Sequence, residues 1–238
     1  MSEINVDLNG TTVTSSSGPA PSLDQQHASK MDQVYRTQRH IYDLTRKYYL
    51  LGRDTAIARL ALPRDGSLLE VACGTGRNLI CAERLYPVSH LYGFDISNEM
   101  LEQARLNFRG RPRQPDLRIA DASAFTAADF PVGTDGFDRI MISYALSMIP
   151  EWQKAIACSL NALKPGGALH VVDFGQQEGL PRWFRHLLHA WLARFHVTPR
   201  ADLRQELAAQ AEALGATLTF TPLYRGYAWH AVILRPAE

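Results

Sequence analysis

The chain has 238 residues, of which 46% are hydrophobic, and a formal net charge of +1. This length suits one domain with at most a small attachment, and the small net charge gives no general basic field for nucleic acid. No apolar run approaches the roughly 20 residues that span a bilayer, and the first ten residues lack the basic start and apolar stretch of a signal peptide.

The first 62 residues divide into two parts. Residues 1–28 are rich in Ser, Thr, Gly, Pro and Asn and hold few large apolar groups, so we expect a disordered N-terminal tail. Residues 29–238 are expected to form a single domain, which begins with a cap helix over about 30–62 that Gly52 interrupts. Tyrosine and arginine recur on this helix at spacings of four and three and would share one face, at Tyr35, Arg39, Tyr42, Arg46, Tyr49 and Arg53.

This tyrosine and arginine face has two interpretations. The tyrosine rings could contact a cationic amine or sulfonium, and the arginines could bind a carboxylate or phosphate through paired hydrogen bonds. Alternatively, the helix is an ordinary amphipathic helix that packs on a sheet, with the arginines at its edge.

A glycine loop follows the first predicted strand, in residues 68–78, LLEVACGTGRN. The apolar run contains Glu70 and ends in a tight turn between Gly74 and Gly76, whose small residues let backbone N–H groups approach a ligand. The next helix offers its N-terminus to a negative group. Position 79 is Leu79, where the dinucleotide fingerprint needs a third small residue. The loop therefore predicts a nucleotide-like cofactor, and an α/β domain that binds no nucleotide is the alternative.

Strands are predicted at about 68–72, 90–94, 117–119, 137–142 and 168–173, with helical patterns between them. This alternation is typical of a doubly wound α/β fold with a mainly parallel sheet. Two further β runs, at 216–224 and 227–234, meet at the turn Arg225-Gly226 and predict a C-terminal antiparallel hairpin. The sheet would then have seven strands.

Polar residues recur at the carboxyl ends of these strands, where ligands of open α/β sheets bind. Asp95 ends the second strand, 19 residues after Gly76, and could accept hydrogen bonds from both ribose hydroxyls. The further residues at strand ends are Glu70, Asp121, Ser143, Tyr144 and Asp173. We therefore expect all of these side chains to converge on one crevice.

The pattern E-x-A-C-G-T-G-R-N resembles motif I of the class I methyltransferases, which have a Rossmann-like fold and bind S-adenosylmethionine (AdoMet). The segments LRIADASAF and LKPGGALHVVDF resemble later motifs of that superfamily. The resemblance implies AdoMet as cofactor, S-adenosylhomocysteine as product and no metal, and it assigns the adenine amino group to Asp121. The implied cofactor-binding residues are Tyr49, Arg53, Glu70, Ala72, Gly74, Thr75, Gly76, Asn78, Asp95, Ile96, Asp121, Ala122 and Ser143.

Three segments, MDQVYRTQRHIYDLTRKYYLLGRD, EVACGTGRNLI and SYALSMIPEW, resemble the betaine-lipid methyltransferases. Those enzymes add three methyl groups to the amine of diacylglycerylhomoserine and form diacylglyceryl-N,N,N-trimethylhomoserine. The implied catalytic residues are Tyr42, which would cover the cofactor, Arg46, which would bind an acceptor carboxylate, Tyr144 at the mouth of the fourth strand, and Asp173. Asp173 would orient the acceptor amine, although a loop-capping role is equally consistent with its position.

Other functions stay open at this point. A methyltransferase for another small-molecule, quinone or phospholipid amine acceptor would keep the same cofactor residues. An AdoMet-fold protein without catalysis is a further alternative. A nucleic-acid methyltransferase is disfavoured, because the fourth strand leads into Ser-Tyr-Ala-Leu and the sequence shows no broad basic stripe.

An amphipathic insertion is predicted at about 178–214. In LPRWFRHLLHAWLARFH, the large apolar residues fill about half of the helical wheel, at Leu180, Trp183, Phe184, Leu187, Leu188, Trp191, Leu192 and Phe195. Basic residues occupy the other half, at Arg182, Arg185, His186, His189 and His196, with Arg194 near the boundary. This pattern is typical of a helix that lies in a membrane interface, and a core helix or a dimer contact is the alternative.

The expected partner is therefore a lipid substrate at a membrane surface, with no nucleic acid, and the oligomeric state is left open. Three cysteines without metal-like spacing, Cys73, Cys81 and Cys158, favour a reducing setting. We expect a cytoplasmic protein that is peripherally associated with the inner face of the membrane.

Overall fold

The computed structural model of the protein describes residues 50–132, 136–195 and 197–237. The predicted tail and most of the predicted cap helix lie outside these residues, and so do Tyr42, Arg46 and Tyr49. Arg53 is the one member of the tyrosine and arginine face within the described part of the chain.

Seven strands form one sheet in the order β3-β2-β1-β4-β5-β7-β6. They are β1 (Ser67–Val71), β2 (His90–Asp95), β3 (Asp116–Ile119), β4 (Phe137–Ser143), β5 (Leu163–Phe174), β6 (Thr217–Leu223) and β7 (Ala228–Leu234). The first five strands are parallel, and β7 runs antiparallel to both β5 and β6. The predicted doubly wound, mainly parallel sheet with a C-terminal antiparallel hairpin is confirmed. Because the strand order reverses between β1 and β4, a crevice is expected beyond their carboxyl ends.

Six helices accompany the sheet within the described residues: α1 (Arg53–Ala58), α2 (Arg77–Leu85), α3 (Asn98–Phe108), α4 (Trp152–Asn161), α5 (Arg182–Ala193) and α6 (Leu203–Ala213), with a short 3-10 helix at Ala127–Asp129. Two glycines in the left-handed conformation set helix starts, since α1 follows Gly52 and α2 follows Gly76. At α3 the Ser97 side chain instead accepts the Met100 N–H and caps the helix. The interruption predicted at Gly52 is therefore a helix start.

Alternation along each strand sends side chains to two apolar cores. Leu69 and Val71 of β1 join a cluster that includes residues of α4 and α6, whereas Leu68 joins a second cluster that includes residues of α1, α2, α3 and α5. The sheet is thus covered on both faces, as a doubly wound fold requires. This arrangement leaves the carboxyl ends of the strands as the open side for a ligand.

The apolar stripe of α5 divides between core and surface. Leu188 and Leu192 are buried in the second cluster, and Phe184 and Trp191 are half-buried against it. Only Trp183 and Leu187 are strongly exposed, at 68% and 64%. An interfacial face that includes all eight predicted apolar residues is therefore wrong, because part of the stripe completes the core. None of the helices within the described residues is long and apolar enough to cross a membrane.

Candidate active site

The glycine loop between β1 and α2 is held in a fixed backbone conformation. Gly76 has a φ of +75°, and a Cβ atom there would lie 3.1 Å from the ring of Phe108, so only glycine fits without strain. Ala72 also has a positive φ, at +53°. The Cys73 N–H donates to the Phe94 carbonyl at 2.8 Å and ties the loop to the end of β2. The loop is therefore shaped before any ligand binds.

Asp95 connects the glycine loop to the loop after β2. One carboxylate oxygen, Oδ2, accepts the Gly74 N–H at 2.9 Å, and the other, Oδ1, accepts the Ser97 N–H at 3.0 Å. The side chain is buried. These bonds orient the carboxylate at the carboxyl ends of β1 and β2, where the sequence predicted contact with a ribose.

Glu70, Asn78 and Arg53 come together beside the glycine loop. Asn78 Nδ2 donates to Glu70 Oε1 at 2.7 Å, whereas Glu70 Oε2 has no hydrogen-bond partner among the residues that the structure describes. Burial raises the pKa of the Glu70 carboxyl to about 8, and the Asn78 hydrogen bond and the charge of Arg53 oppose this rise. Arg53 is buried, and its Nε donates to the Leu50 carbonyl at 3.2 Å. A cationic ligand group at this place would favour the ionised form of Glu70.

The residues that follow β2 and β3 add a carboxylate and apolar side chains to the crevice. Asp121 Oδ1 accepts both the N–H and the hydroxyl of Ser123 at 2.8 Å, which fixes the carboxylate just after β3. Ala122 is buried and Ile96 is half-buried. Thr75 in the glycine loop is also half-buried. Apolar groups beside a positioned carboxylate suit a purine base with an amino group.

Tyr144 follows β4 directly and has a positive φ of +54°. Its ring packs against Phe174 with centroids 4.7 Å apart, and its hydroxyl donates to the Leu51 carbonyl. The hydroxyl therefore joins the end of β4 to the segment that precedes α1. The catalytic role of Tyr144 stays a prediction. Ser143, one residue earlier, has a buried hydroxyl without a partner in the described part of the chain.

Asp173 lies near the carboxyl end of β5 and is 2% exposed. Its Oδ1 accepts the Phe174 N–H at 2.8 Å, and by distance and angle its Oδ2 has no hydrogen-bond partner within the described ranges. The N–H groups of Leu146 and Ser147 and the Ser147 hydroxyl nevertheless lie close enough to the carboxyl to lower its pKa. Burial raises the pKa of this carboxyl to about 6, against the lowering effect of nearby N–H groups. Two neighbouring polar residues that the sequence did not single out, Ser147 and Gln176, also have buried polar atoms without a partner there. Their positions after β4 and β5 were the only available signal.

The predicted site residues that the structure describes thus lie at the edge of the sheet where the parallel strands end. Tyr42, Arg46 and Tyr49 lie outside the described residues, so their roles stay predictions. Within the described ranges, no group of three or more His, Cys, Asp or Glu side chains could hold a metal ion.

Comparison with known proteins gives a family match to part of the chain. Residues 68–167 match the family model described as a methyltransferase domain. The demethylmenaquinone methyltransferase of Listeria welshimeri is 26% identical over 138 residues, which cover 58% of this chain and 56% of that protein. The ubiquinone/menaquinone biosynthesis C-methyltransferase UbiE of Desulfotalea psychrophila is 30% identical over 137 residues, which cover 56% and 53%. The chain spans about half the length of these curated relatives.

Solved structures share the fold at low sequence identity. The plantazolicin methyltransferase BpumL, crystallised with a triazolic desmethylPZN analogue and S-adenosylhomocysteine, has a TM-score of 0.65 at 14% identity, with 90% of this chain and 95% of that chain covered. The [4+2]-cyclase SpnF also has a TM-score of 0.65, at 17% identity, with 92% and 99% covered. Because a cyclase shares the architecture, the fold alone does not decide the reaction. Residues 68–167 therefore match a methyltransferase domain, and the seven-stranded sheet that contains them has the fold of solved methyltransferases.

Proposed function

We propose that the protein transfers methyl groups from AdoMet to the amine of diacylglycerylhomoserine and forms the betaine lipid diacylglyceryl-N,N,N-trimethylhomoserine. The observation that carries the methyltransferase part is the hydrogen bond from the Gly74 amide to Asp95, which fixes a carboxylate beside the glycine loop. The lipid amine rests on the sequence resemblance and on the exposed face of α5.

The cofactor has a natural orientation in this crevice. Asp95 accepts the ribose hydroxyls, Asp121 accepts the adenine amino group, and Glu70 faces the positively charged amino acid end of AdoMet. Each pairing matches an acceptor with a donor or a carboxylate with a cation. The carboxylates also tolerate the positive charge of the sulfonium before transfer.

The reaction is an in-line displacement. The neutral amine uses its lone pair to form an N–C bond to the methyl carbon, while the C–S bond breaks and its electron pair stays on sulfur as the thioether of S-adenosylhomocysteine. Each round starts when the ammonium form of the acceptor releases one proton to solvent, so three protons leave in three transfers and the quaternary product keeps none. The protein must align donor and acceptor and exclude water, and it need not supply a nucleophile.

The exposed face of α5 supports a substrate that is embedded in a lipid surface. Trp183 and Leu187 lie one turn apart on this face, and the helix between Arg182 and Ala193 contains no acidic residue. An apolar face with basic neighbours suits the interface of an anionic membrane. The opposite face of α5 reaches the core through Leu188 and Leu192, which share a cluster with Tyr144 at the end of β4. We propose that α5 binds the inner face of the membrane peripherally and holds the crevice near its lipid substrate.

A quinone acceptor is the second candidate, because two of the similar curated proteins are named as demethylmenaquinone and ubiquinone/menaquinone methyltransferases. Such an acceptor also has a lipid-like tail, but UbiE is named a C-methyltransferase, so the new bond would be to carbon. The two candidates therefore differ in which lipid fraction gains the methyl group.

The deciding experiment incubates the protein with methyl-labelled AdoMet and a total lipid extract that contains both diacylglycerylhomoserine and demethylated quinones. We expect label in the amine lipid, with products that carry one, two and three added methyl groups. Label in the quinone fraction alone would refute the proposed acceptor. A protein that shows no AdoMet binding by calorimetry would refute the methyltransferase proposal itself.

A further inference from the structure

A cavity of about 260 Å³ lies at the amino ends of β2 and β3, at the opposite edge of the sheet from the cofactor crevice. Its wall is built from the residues that enter β2, from the loop that enters β3 and from Pro131. None of the predicted cofactor-binding residues lines it. Because one water molecule occupies about 30 Å³ of the liquid, the cavity has room for a small organic molecule and not only for a single ion.

The Ser89 hydroxyl belongs to this wall and lacks a hydrogen bond. Ser89 is 2% exposed, and its Oγ has no partner within residues 50–132, 136–195 and 197–237. Backbone hydrogen bonds fix its position, since the Ser89 N–H donates to the Tyr86 carbonyl at 3.1 Å and the His90 N–H donates to the Gly66 carbonyl at 2.9 Å. Buried hydroxyls are almost always paired in folded proteins, so an unpaired one on a cavity wall indicates a place for a ligand group.

Arg113 is the second group on the wall with unused hydrogen-bonding capacity. Its side chain is exposed, and its guanidinium makes no hydrogen bond or ion pair with any residue that the structure describes. The loop around it is held on both sides, because Arg111 Nε donates to Glu83 Oε2 at 2.7 Å and Gln114 Nε2 donates to the Phe108 carbonyl at 2.7 Å. The charge of Arg113 is therefore carried on a fixed loop, which lowers the entropic cost of binding a ligand.

The acidic groups near the cavity already have partners. Asp116 also lines the wall, but Arg118 Nε and Nη2 donate to its two carboxylate oxygens at 2.6 Å and 3.0 Å. The Nε2 atom of His90 lies 3.2 Å from Asp65 Oδ1. The unpaired guanidinium has no such counter-ion in the described part of the chain, so the cavity favours a negative ligand.

The two unpaired groups of the wall define the chemistry of that ligand. A guanidinium donates to two oxygens in parallel, and the serine hydroxyl can donate to a third. A phosphate monoester presents three terminal oxygens, whereas a carboxylate presents two. We propose that this cavity is a binding site for a small phosphate monoester, in which Arg113 binds two phosphate oxygens and Ser89 binds the third. Leu91 and Pro131 on the same wall would contact the organic part.

The phosphate site and the cofactor crevice lie at the two ends of β2. The strand begins at His90 beside the cavity and ends at Asp95 in the crevice, and its six residues span about 17 Å at about 3.3 Å per residue. The two ligands therefore bind at the same time, and the phosphate site does not depend on which acceptor is methylated. A soluble phosphorylated metabolite and the monoester headgroup of a phospholipid share this chemistry, so the test has an arm for each.

The first arm measures the binding of soluble probes to the full-length protein at pH 7.5 in phosphate-free buffer, by ligand-observed NMR. The probes are methyl phosphate, glycerol 3-phosphate and acetate. We expect both phosphate esters to bind, and acetate to bind about tenfold more weakly, because it has a smaller charge and no third oxygen for Ser89. Saturation with S-adenosylhomocysteine should leave the affinity for methyl phosphate unchanged within about twofold.

Matched variants separate a built site from general positive charge. Arg113→Ala should weaken both phosphate esters about tenfold or more, whereas Arg109→Ala should leave them unchanged, because Arg109 is an exposed arginine of the same loop that does not line the cavity. Arg113→Lys keeps the charge but loses the paired hydrogen bonds, so we expect an intermediate loss of about threefold. Ser89→Ala should weaken the esters about fivefold, and Ser159→Ala should not, since the buried Ser159 hydroxyl donates to the Ala155 carbonyl within α4.

The second arm compares flotation with phosphatidylcholine vesicles that contain either phosphatidic acid, a monoester, or phosphatidylglycerol, a diester, at matched surface charge. Wild-type protein that prefers phosphatidic acid, with the preference lost in Arg113→Ala, identifies the lipid headgroup as the ligand. Equal flotation with both vesicles, together with binding of glycerol 3-phosphate, identifies a soluble ester.

The inference is overturned if neither phosphate ester binds, if Arg109→Ala weakens binding as much as Arg113→Ala, or if S-adenosylhomocysteine displaces the esters. If Ser89→Ala does not fold, Arg113→Lys decides, because an affinity equal to that of the wild-type protein would refute the paired hydrogen bonds. These outcomes are distinct from failure of the proposed function. A protein that does not bind S-adenosylhomocysteine refutes the methyltransferase, whereas one that binds it but no phosphate ester refutes only this site.

Discussion

Replacing Asp95 with asparagine should weaken AdoMet binding about 10- to 150-fold. The change keeps the size of a buried side chain but removes its charge, and a hydrogen bond to a charged group contributes about 1.5–3 kcal/mol, which corresponds to that range of Kd. The asparagine amide can still accept one of the two backbone N–H groups, from Gly74 or Ser97, that Asp95 now accepts. One N–H loses its partner, so we expect unfolding to become easier by about 1–3 kcal/mol.

The assay is isothermal calorimetry with AdoMet, together with urea unfolding to confirm that the variant is folded. Asp116→Asn is the matched control, because Asp116 lies at the amino end of β3 and pairs with Arg118 there. The control should bind AdoMet like the wild-type protein. An Asp95→Asn protein that is folded and binds AdoMet with an unchanged Kd would refute the assignment of the ribose to this carboxylate.

Replacing both Trp183 and Leu187 with serine should abolish flotation with anionic vesicles and keep AdoMet binding, because both side chains are exposed on α5. Leu85→Ser, which changes another exposed leucine at 55% exposure, should float normally. Buried His170 and His230 should each cost stability as the pH falls from 6.5 to 4.5, because burial lowers the pKa of His170 to about 3 and that of His230 to about 4, so at these two sites the unfolded chain binds more protons. The raised pKa values of Glu70 and Asp173 act in the opposite direction, so the comparison of wild-type protein with a histidine variant isolates the effect. Each histidine contributes its full stability above pH 6.5 and loses about 2–3 kcal/mol of it by pH 4.5. On acidification, the free energy of unfolding of His170→Gln, measured by urea titration, should therefore fall by about 2–3 kcal/mol less than that of the wild-type protein.

Two outcomes would contradict these expectations. If the α5 double variant no longer binds AdoMet or unfolds, its exposed face belongs to a packed interface and the membrane role fails. If His170→Gln loses as much stability as the wild-type protein between pH 7 and pH 4.5, the neutral buried histidine does not contribute to the acid sensitivity.

The sheet could be predicted because its signals are local. The parallel strands are apolar runs with a polar residue at or close to the carboxyl end, such as Asp95 in β2 and Asp173 in β5, and a strand end fixes the edge of the sheet at which that residue lies. The beginning of β5 was less visible, since it starts at Leu163 before a lysine, a proline and two glycines. There Leu163 pairs with Phe137 ahead of a register shift, which is a non-local interaction.

The acceptor side was harder to predict because it depends on contacts between distant segments. The hydroxyl of Tyr144 donates to the Leu51 carbonyl, and no sequence pattern relates these two positions. The unpaired groups of Ser147 and Gln176 are likewise visible only once the loops after β4 and β5 are placed together. On α5, helical periodicity cannot separate core from interface, because both require an apolar face.

The strand order has one more consequence, which concerns association between copies of the chain. The two strands at the sheet borders, β3 and β6, each present one row of backbone groups to the outside. Strand β3 is only four residues long and carries Asp116 and Arg118, while β6 contains Pro222, which has no N–H to donate. Charged residues, brevity and proline all oppose strand addition and amyloid-like stacking. The sheet is therefore protected against growth by edge-to-edge pairing, and any self-association of this domain is expected to use its helical surfaces instead.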